Sequence, residues 1–191
     1  TRLSVYLILK SLINNDSTYD KLFEREIKKN KYSARDINFI QSVVLNSLRH
    51  NMQVKKIIDK FAHKKINEDT YILLLSAITQ LVFLNFKDYA VVNSSVELSK
   101  KNKIKTYSGF INGILKNIIK EKESLKKTKI GLSDLPKWFI NKITKKNLDK
   151  ISYIINSITE KPDLHLVFKN KRFLKIFLKE RNNEDIETSE I

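Results

Sequence analysis

The side chains best suited to chemistry in this chain are its lysines. Lys100, Lys101, Lys103 and Lys105 crowd into one short stretch, and Lys116, Lys120 and Lys122 continue it. A lysine ammonium is a compact point cation that meets phosphate oxygens and carries no sequence code. Residues 96–150 hold 15 basic and 5 acidic side chains, or +10 of the chain's net +16. Lysine outnumbers arginine 31 to 6, a mixture that AT-rich coding produces by itself. The concentration of charge in one stretch is what points to a polyanion such as nucleic acid. The last twelve residues run the other way, with five acids against Arg181.

Catalytic groups are hard to find. His50, His63 and His165 have no metal-ligand spacing and read as surface or helix-end residues. There is no cysteine, which removes disulfides, a thiolate nucleophile and cysteine-held zinc. Ser94 and Ser95 have no histidine near them in sequence. Glu24/Glu26 and Glu68/Asp69 read as solvated or helix-start charges, and Asp36 and Glu97 as caps or ion-pair partners. A glycine-rich phosphate loop is excluded, because the chain has only three glycines, Gly109, Gly113 and Gly131.

Two of those glycines stand four apart in the segment GFINGILKN, 109–117. Glycine inside a helix costs about 1 kcal/mol relative to alanine. The spacing puts both on one helix face, where they would let a neighbouring backbone come close. Asn112 and Lys116 give the same helix a polar, cationic edge.

The elements that must position these groups are helices. Three glycines and two prolines leave little turn chemistry, and 41% apolar residues are enough for a core. Residues 3–13 are apolar on most faces, and Leu22, Phe23 and Ile27 share one side of 19–29. Ser33 stands three before Asp36, a capping-box spacing, and opens a helix that buries Ile37, Ile40, Val44 and Leu48. Val54, Ile57, Ile58 and Phe61 mark the next helix, and Asn67 caps the one after. Residues 71–86 are apolar all round. They are interrupted by Ser76, Thr79 and Gln80 and are shorter than the ~20 apolar residues of a membrane span, so they read as the buried centre of a bundle. Helices follow at 89–99 and 105–120, then a helix after Pro136 with apolar Trp138, Phe139 and Ile143. Pro162 ends the helical run, LHLVF at 164–168 has strand character, and 171–180 reads as a helix. The acidic end is expected to be solvated or disordered.

The order of segments resembles a known family. ARDINFIQSVVLNSLRH at 34–50, LLSAITQLVFL at 74–84, VVNSSVELSKK at 91–101 and GFINGILKN are similar to the NusB-like N-terminal domain of ribosomal RNA cytosine-C5 methyltransferases of the RsmB or Sun type. Lys116 replaces that family's usual arginine, and Asn46 its usual glycine. LPKWFINKI at 135–143 resembles the proline–tryptophan helix that follows the domain in the methyltransferases. KPDLHLVFKNK at 161–171 looks loosely like the entry strand of their next, RRM-like domain.

The resemblance implies an all-α, NusB-like helical bundle over 1–124, a helical connector over 125–160, and the start of an RRM-like α/β segment over 161–191, where the chain stops inside a second domain. It implies a cytoplasmic RNA-binding part that positions small-subunit ribosomal RNA, with no membrane association and with dimerisation open to it. The family's catalytic domain uses S-adenosylmethionine, a glycine-rich loop and a cysteine. This chain has neither the loop nor the cysteine, so no cofactor is expected on it and S-adenosylmethionine belongs to the full-length enzyme. The chain begins at Thr1 without a methionine, which points to a trimmed protein, and shows no secretory signal. A basic N-terminal helix is the family's usual RNA contact; here it offers Arg2 and Lys10. The candidate RNA-binding residues are therefore Arg2, Lys10, Arg49, Lys100, Lys101, Lys103, Lys105, Lys116 and Lys120. Arg49 has a second role open to it, at the C-terminus of its own helix. Two other functions remain: an antitermination factor that binds RNA with a ribosomal protein, and a helical protein-interaction module whose basicity is compositional.

Overall fold

The computed structural model describes residues 1–14, 16–62, 64–101, 107–143, 150–160 and 166–181, with Ile143, Glu180 and Arg181 described by their backbone alone. His63, Lys103, Lys105, His165 and the acidic residues from 184 onward lie outside the described residues. The chain divides into two compact units, 1–159 and 160–191.

Unit 1 is built around one buried helix. Helices α1 (Arg2–Ile13), α2 (Tyr19–Lys29), α3 (Ala34–Arg49) and α4 (Asn51–Phe61) precede α5 (Glu68–Ile78). Helices α6 (Asp88–Lys101) and α7 (Ser108–Lys120) follow it. In α5, Thr70 and every residue from Ile72 to Ile78 is buried, and α1, α3, α4, α6 and α7 all pack on it. Each fully buried Leu or Ile contributes roughly 1.5–3 kcal/mol, so the all-round apolar sequence explains the central position. The surrounding helices bury one stripe each: Val5, Ile8 and Leu9 in α1, Ile40, Val43 and Val44 in α3, and Ile111, Ile114, Leu115 and Ile118 in α7. Leu48, expected in the core, is exposed at the end of α3.

Local caps set the helix starts. Asp36 N–H donates to Ser33 Oγ (3.2 Å), and Ser33 N–H donates back to Asp36 Oδ2 (3.3 Å). Thr70 N–H donates to Asn67 Oδ1 at 2.8 Å.

The apolar run does not continue as an α-helix to Phe86. It widens into a π turn over Thr79–Phe83. Leu84 N–H reaches Thr79 O (3.0 Å), and Phe86 N–H reaches Gln80 O (2.9 Å). Asn85 ends the turn in the left-handed region, with φ of 53°, a conformation that asparagine tolerates better than branched residues. Lys122, just beyond α7, donates to Asn85 Oδ1 (2.6 Å) and pairs with Asp88 (3.4 Å) at the start of α6. The two helices are therefore antiparallel.

After α7 the chain turns through α8 (Lys122–Leu125) and runs back along α4. Lys60 pairs with Glu121, and Gln53 Nε2 donates to Thr128 O at 2.7 Å. Lys56 Nζ donates to Lys129 O (3.0 Å) and to Asp134 Oδ2 (2.7 Å). Leu125, Ile130 and Leu135 are buried beneath this strap. A 3-10 turn at Leu132–Asp134 leads to Pro136, which stands immediately before α9 (Lys137–Ile143); α10 (Ile151–Thr159) closes the unit.

Unit 2 corrects the expectation of an α/β segment. Among the described residues there is no strand: 166–168 have no regular structure, and residues 164 and 165 lie outside the described set. Strand character is a local preference, and a strand forms only where another supplies its backbone partners. Helix α11 (Lys171–Arg181) is present, with Asn170 Oδ1 accepting from Arg172 N–H (3.1 Å) and Phe173 N–H (3.2 Å). The Phe168 and Phe177 rings lie 5.2 Å apart.

Candidate nucleic-acid interface

The predicted cations separate into two groups. The first is engaged within the fold. Arg2 Nε donates to Gln80 Oε1 (3.1 Å), and its guanidinium lies 5.2 Å from the centre of the Phe39 ring. Burial moves its pKa downward. This arginine ties α1 to the π turn and to α3. Lys10 Nζ lies 2.6 Å from Asp69 Oδ1, in the first turn of α5, and Tyr6 OH donates to the same oxygen (2.7 Å). Desolvation first, then the bond to Asp69, raises the Tyr6 pKa. Arg49 Nη1 donates to Asn46 Oδ1 at 2.8 Å, and Asn46 Nδ2 donates to Ser42 O at 2.8 Å. Asparagine in place of glycine at position 46 thus supplies a side-chain clasp for the end of α3. Lys100 pairs with Glu97 (2.8 Å) on the exposed side of α6; such pairs are worth less than about 1 kcal/mol and open readily.

The second group forms no salt bridge among the described residues: Lys101, Lys116 and Lys120 are exposed, and Lys101 lies near enough to Glu97 to help lower its pKa. They do not form one tight knot. Lys101 ends α6, beside the start of α7, while Lys120 ends α7, about 18 Å away at 1.5 Å per residue. Lys101 belongs to α6, while Lys116 and Lys120 lie on the exposed face of α7, in its last turns.

That face also holds the glycines, and here the packing expectation is overturned. Gly109 and Gly113 are exposed, and a Cβ placed on either would meet nothing within 4 Å. Among the described residues, no neighbouring backbone approaches them. The packing stripe of α7 is Ile111, Ile114, Leu115 and Ile118, and the glycines lie on the solvent side. Gly109, Gly113, Lys116 and Lys120 follow at steps of four, three and four, which is one stripe of the helix. Bare backbone therefore leads up to the cations. Tyr107 and Phe110, both about a third exposed, stand at the start of the helix. The sequence reading passed over these two rings; both stand four before a residue of the apolar stripe, at 111 and 114, so spacing alone marks them as core.

The remaining titratable groups are structural. His50 stacks on Phe83 (ring centres 3.9 Å apart, 2° between planes), and its Nδ1 lies 2.6 Å from Gln53 Oε1. Burial lowers its pKa below the ordinary histidine value. Burial pushes the Tyr71 phenol up to about 12. Among the described residues, no three His, Asp or Glu side chains are grouped to hold a metal ion. None of the described helices is long and apolar enough to cross a membrane.

Comparison with known proteins places this geometry in a family. Residues 1–120 match the NusB family. The probable ribosomal RNA small subunit methyltransferase B of Coxiella burnetii is 27% identical over 173 residues, which is 87% of this chain and 39% of that protein. The corresponding protein of Synechocystis is 26% identical over 146 residues, 71% of this chain and 33% of that protein. The transcription antitermination protein NusB of Finegoldia magna is 28% identical over 127 residues, 63% of this chain and 91% of that protein. The chain thus spans between a third and two fifths of the methyltransferase B relatives. The one-helix core, the wrapping helices and the match over residues 1–120 agree: the chain belongs to the NusB family.

Proposed function

We propose that these residues are the RNA-binding part of an S-adenosylmethionine-dependent ribosomal RNA cytosine-C5 methyltransferase, and that they position small-subunit ribosomal RNA for a catalytic domain that lies outside them. The observation that carries the reading is the length of the likeness. It runs over 173 residues with the Coxiella protein, well past residue 120, where the match to the NusB family ends. The helical strap and α9 occupy that added length.

The contribution of this chain is electrostatic. Lys116 and Lys120, exposed on one face of α7, and Lys101, exposed at the end of α6, attract phosphates. The bare backbone at Gly109 and Gly113 lets a sugar–phosphate strand lie close to the helix. Structured RNA is recognised largely through its backbone and shape, which such a face suits. S-adenosylmethionine would be bound by the catalytic domain.

A second reading, an antitermination factor, is favoured by one observation: the match to the Finegoldia protein covers 91% of that protein. Two measurements decide. Fluorescence anisotropy with small-subunit ribosomal RNA fragments, across a salt series, tests RNA binding. Lys116→Glu with Lys120→Glu should weaken it and lower the salt slope by about 0.7–0.9 per lost phosphate contact. Binding that is absent or insensitive to salt rejects both RNA readings and leaves the protein-interaction module. The intact mass of the native protein separates the two RNA functions, because the methyltransferase requires a catalytic domain beyond Ile191.

A further inference from the structure

Trp138 is the sole tryptophan of the chain. It is 63% exposed. The strap explains why. Leu135, three residues earlier, is the buried peg, and Lys56 with the Gly131 N–H holds Asp134 in place. The start of α9 is thereby fixed with its indole outward, set edge-on to Phe139 at 5.5 Å between ring centres. An indole left in water is an unrealised hydrophobic surface, and aromatic side chains of this kind concentrate at recognition sites.

The surroundings select the partner. Lys142 lies one turn along the same face, and Lys137 and Asn141 flank it; all three are exposed. There is no acid in α9. The nearest acid in sequence, Asp134, is already neutralised by Lys56 at 2.7 Å, and its carboxyl titrates below the usual range, first because of that bond. An exposed indole between exposed cations suits a polyanion that carries flat apolar rings. Single-stranded nucleic acid has both, since every unpaired base offers a π-face and every nucleotide a phosphate.

We propose that Trp138 is a stacking platform for an unpaired base of the RNA, with Lys137 and Lys142 holding the adjacent phosphates. The proposal rests on the RNA-binding reading and adds a second contact on α9, distinct from the cationic face of α7. It assigns the two faces different tasks: α7 meets backbone, and α9 requires an unpaired base.

The test uses the 191-residue chain, whose tryptophan emission comes from Trp138 alone. A short single-stranded oligoadenylate and an RNA duplex of equal charge are titrated in. Binding is read by anisotropy of a label on the RNA, and stacking by quenching of the tryptophan. The single strand should quench the emission and shield it from iodide, and the duplex should bind without doing so. Trp138→Ala should weaken single-strand binding about ten-fold and leave duplex binding unchanged, whereas Trp138→Phe should retain most of it. Binding of the single strand without quenching, or equal losses on both RNAs, overturns the stacking platform and leaves the RNA reading intact. Shielding from iodide before any RNA is added shows that protein covers the indole, and also overturns it. Failure of both RNAs to bind removes the RNA reading itself. An unchanged urea midpoint in both variants confirms that folding is not the cause.

Discussion

Arg2→Ala separates a structural role from a binding role. The resemblance to the methyltransferases makes Arg2 an RNA contact; the structure makes it a brace. Its Nε bonds to Gln80 Oε1, and its guanidinium lies over Phe39. Gln80 is 1% exposed, so truncating Arg2 leaves a buried carbonyl oxygen without its donor, at a cost of about 1–3 kcal/mol. The lost contact with the ring adds about 0.5–1 kcal/mol. The sum is about 1.5–4 kcal/mol, or about 2–3 kcal/mol near the middle of both ranges. With a urea slope of about 2 kcal/mol/M, the unfolding midpoint should fall by roughly 1 M. RNA affinity of the folded variant should change little, because no charge is removed from the face that carries Lys116 and Lys120. Urea unfolding followed by circular dichroism, with anisotropy on the same preparation, reads both quantities. An unchanged midpoint combined with a ten-fold loss of RNA affinity would refute the reasoning and restore Arg2 as a contact.

Three further outcomes are expected. Gly109→Ala and Gly113→Ala should each raise stability by up to about 1 kcal/mol, because the new methyl meets nothing within 4 Å and alanine is the better helix former; a lower thermal midpoint would mean that a backbone does pack there. His50 has a folded pKa below its ordinary 6.5, so the unfolded chain binds more protons and stability falls as pH drops through about 6.5. His50→Gln should flatten that slope between pH 7 and the folded pKa in urea titrations, and an identical slope would assign it to other groups. Lys56→Ala releases both Asp134 and the carbonyl of Lys129, so amide exchange over 125–135 should accelerate while α5 stays protected. Unaltered exchange would show that Leu125, Ile130 and Leu135 hold the strap without the lysine.

How much was legible in advance depends on the reach of each interaction. The Ser33–Asp36 box and the Asn67 cap were legible because donor and acceptor lie three residues apart, within one helical turn. The burial of α5 was legible because a helix apolar on every side has no face to offer water. The family was legible in four segments of wording. The roles of Arg2 and Lys10 were not, since Gln80 and Asp69 lie 78 and 59 residues away along the chain. Charge alone marks a residue as able to meet a phosphate, and only the tertiary structure shows the partner it already has across the fold.

The sequence by itself determined the helical class, the central helix, the caps and an excess of positive charge, because these follow from local spacing and composition. The tertiary structure decided direction. A four-residue glycine spacing makes one face, but only the packing of Ile111, Ile114, Leu115 and Ile118 turned that face outward. Tryptophan is apolar anywhere, but only the strap locked onto α4 left Trp138 in water. The strand pattern at 164–168 was local too, and with no second strand among the described residues, 166–168 are irregular. Periodicity sets which residues share a side, and the neighbours they bury against set which side that is.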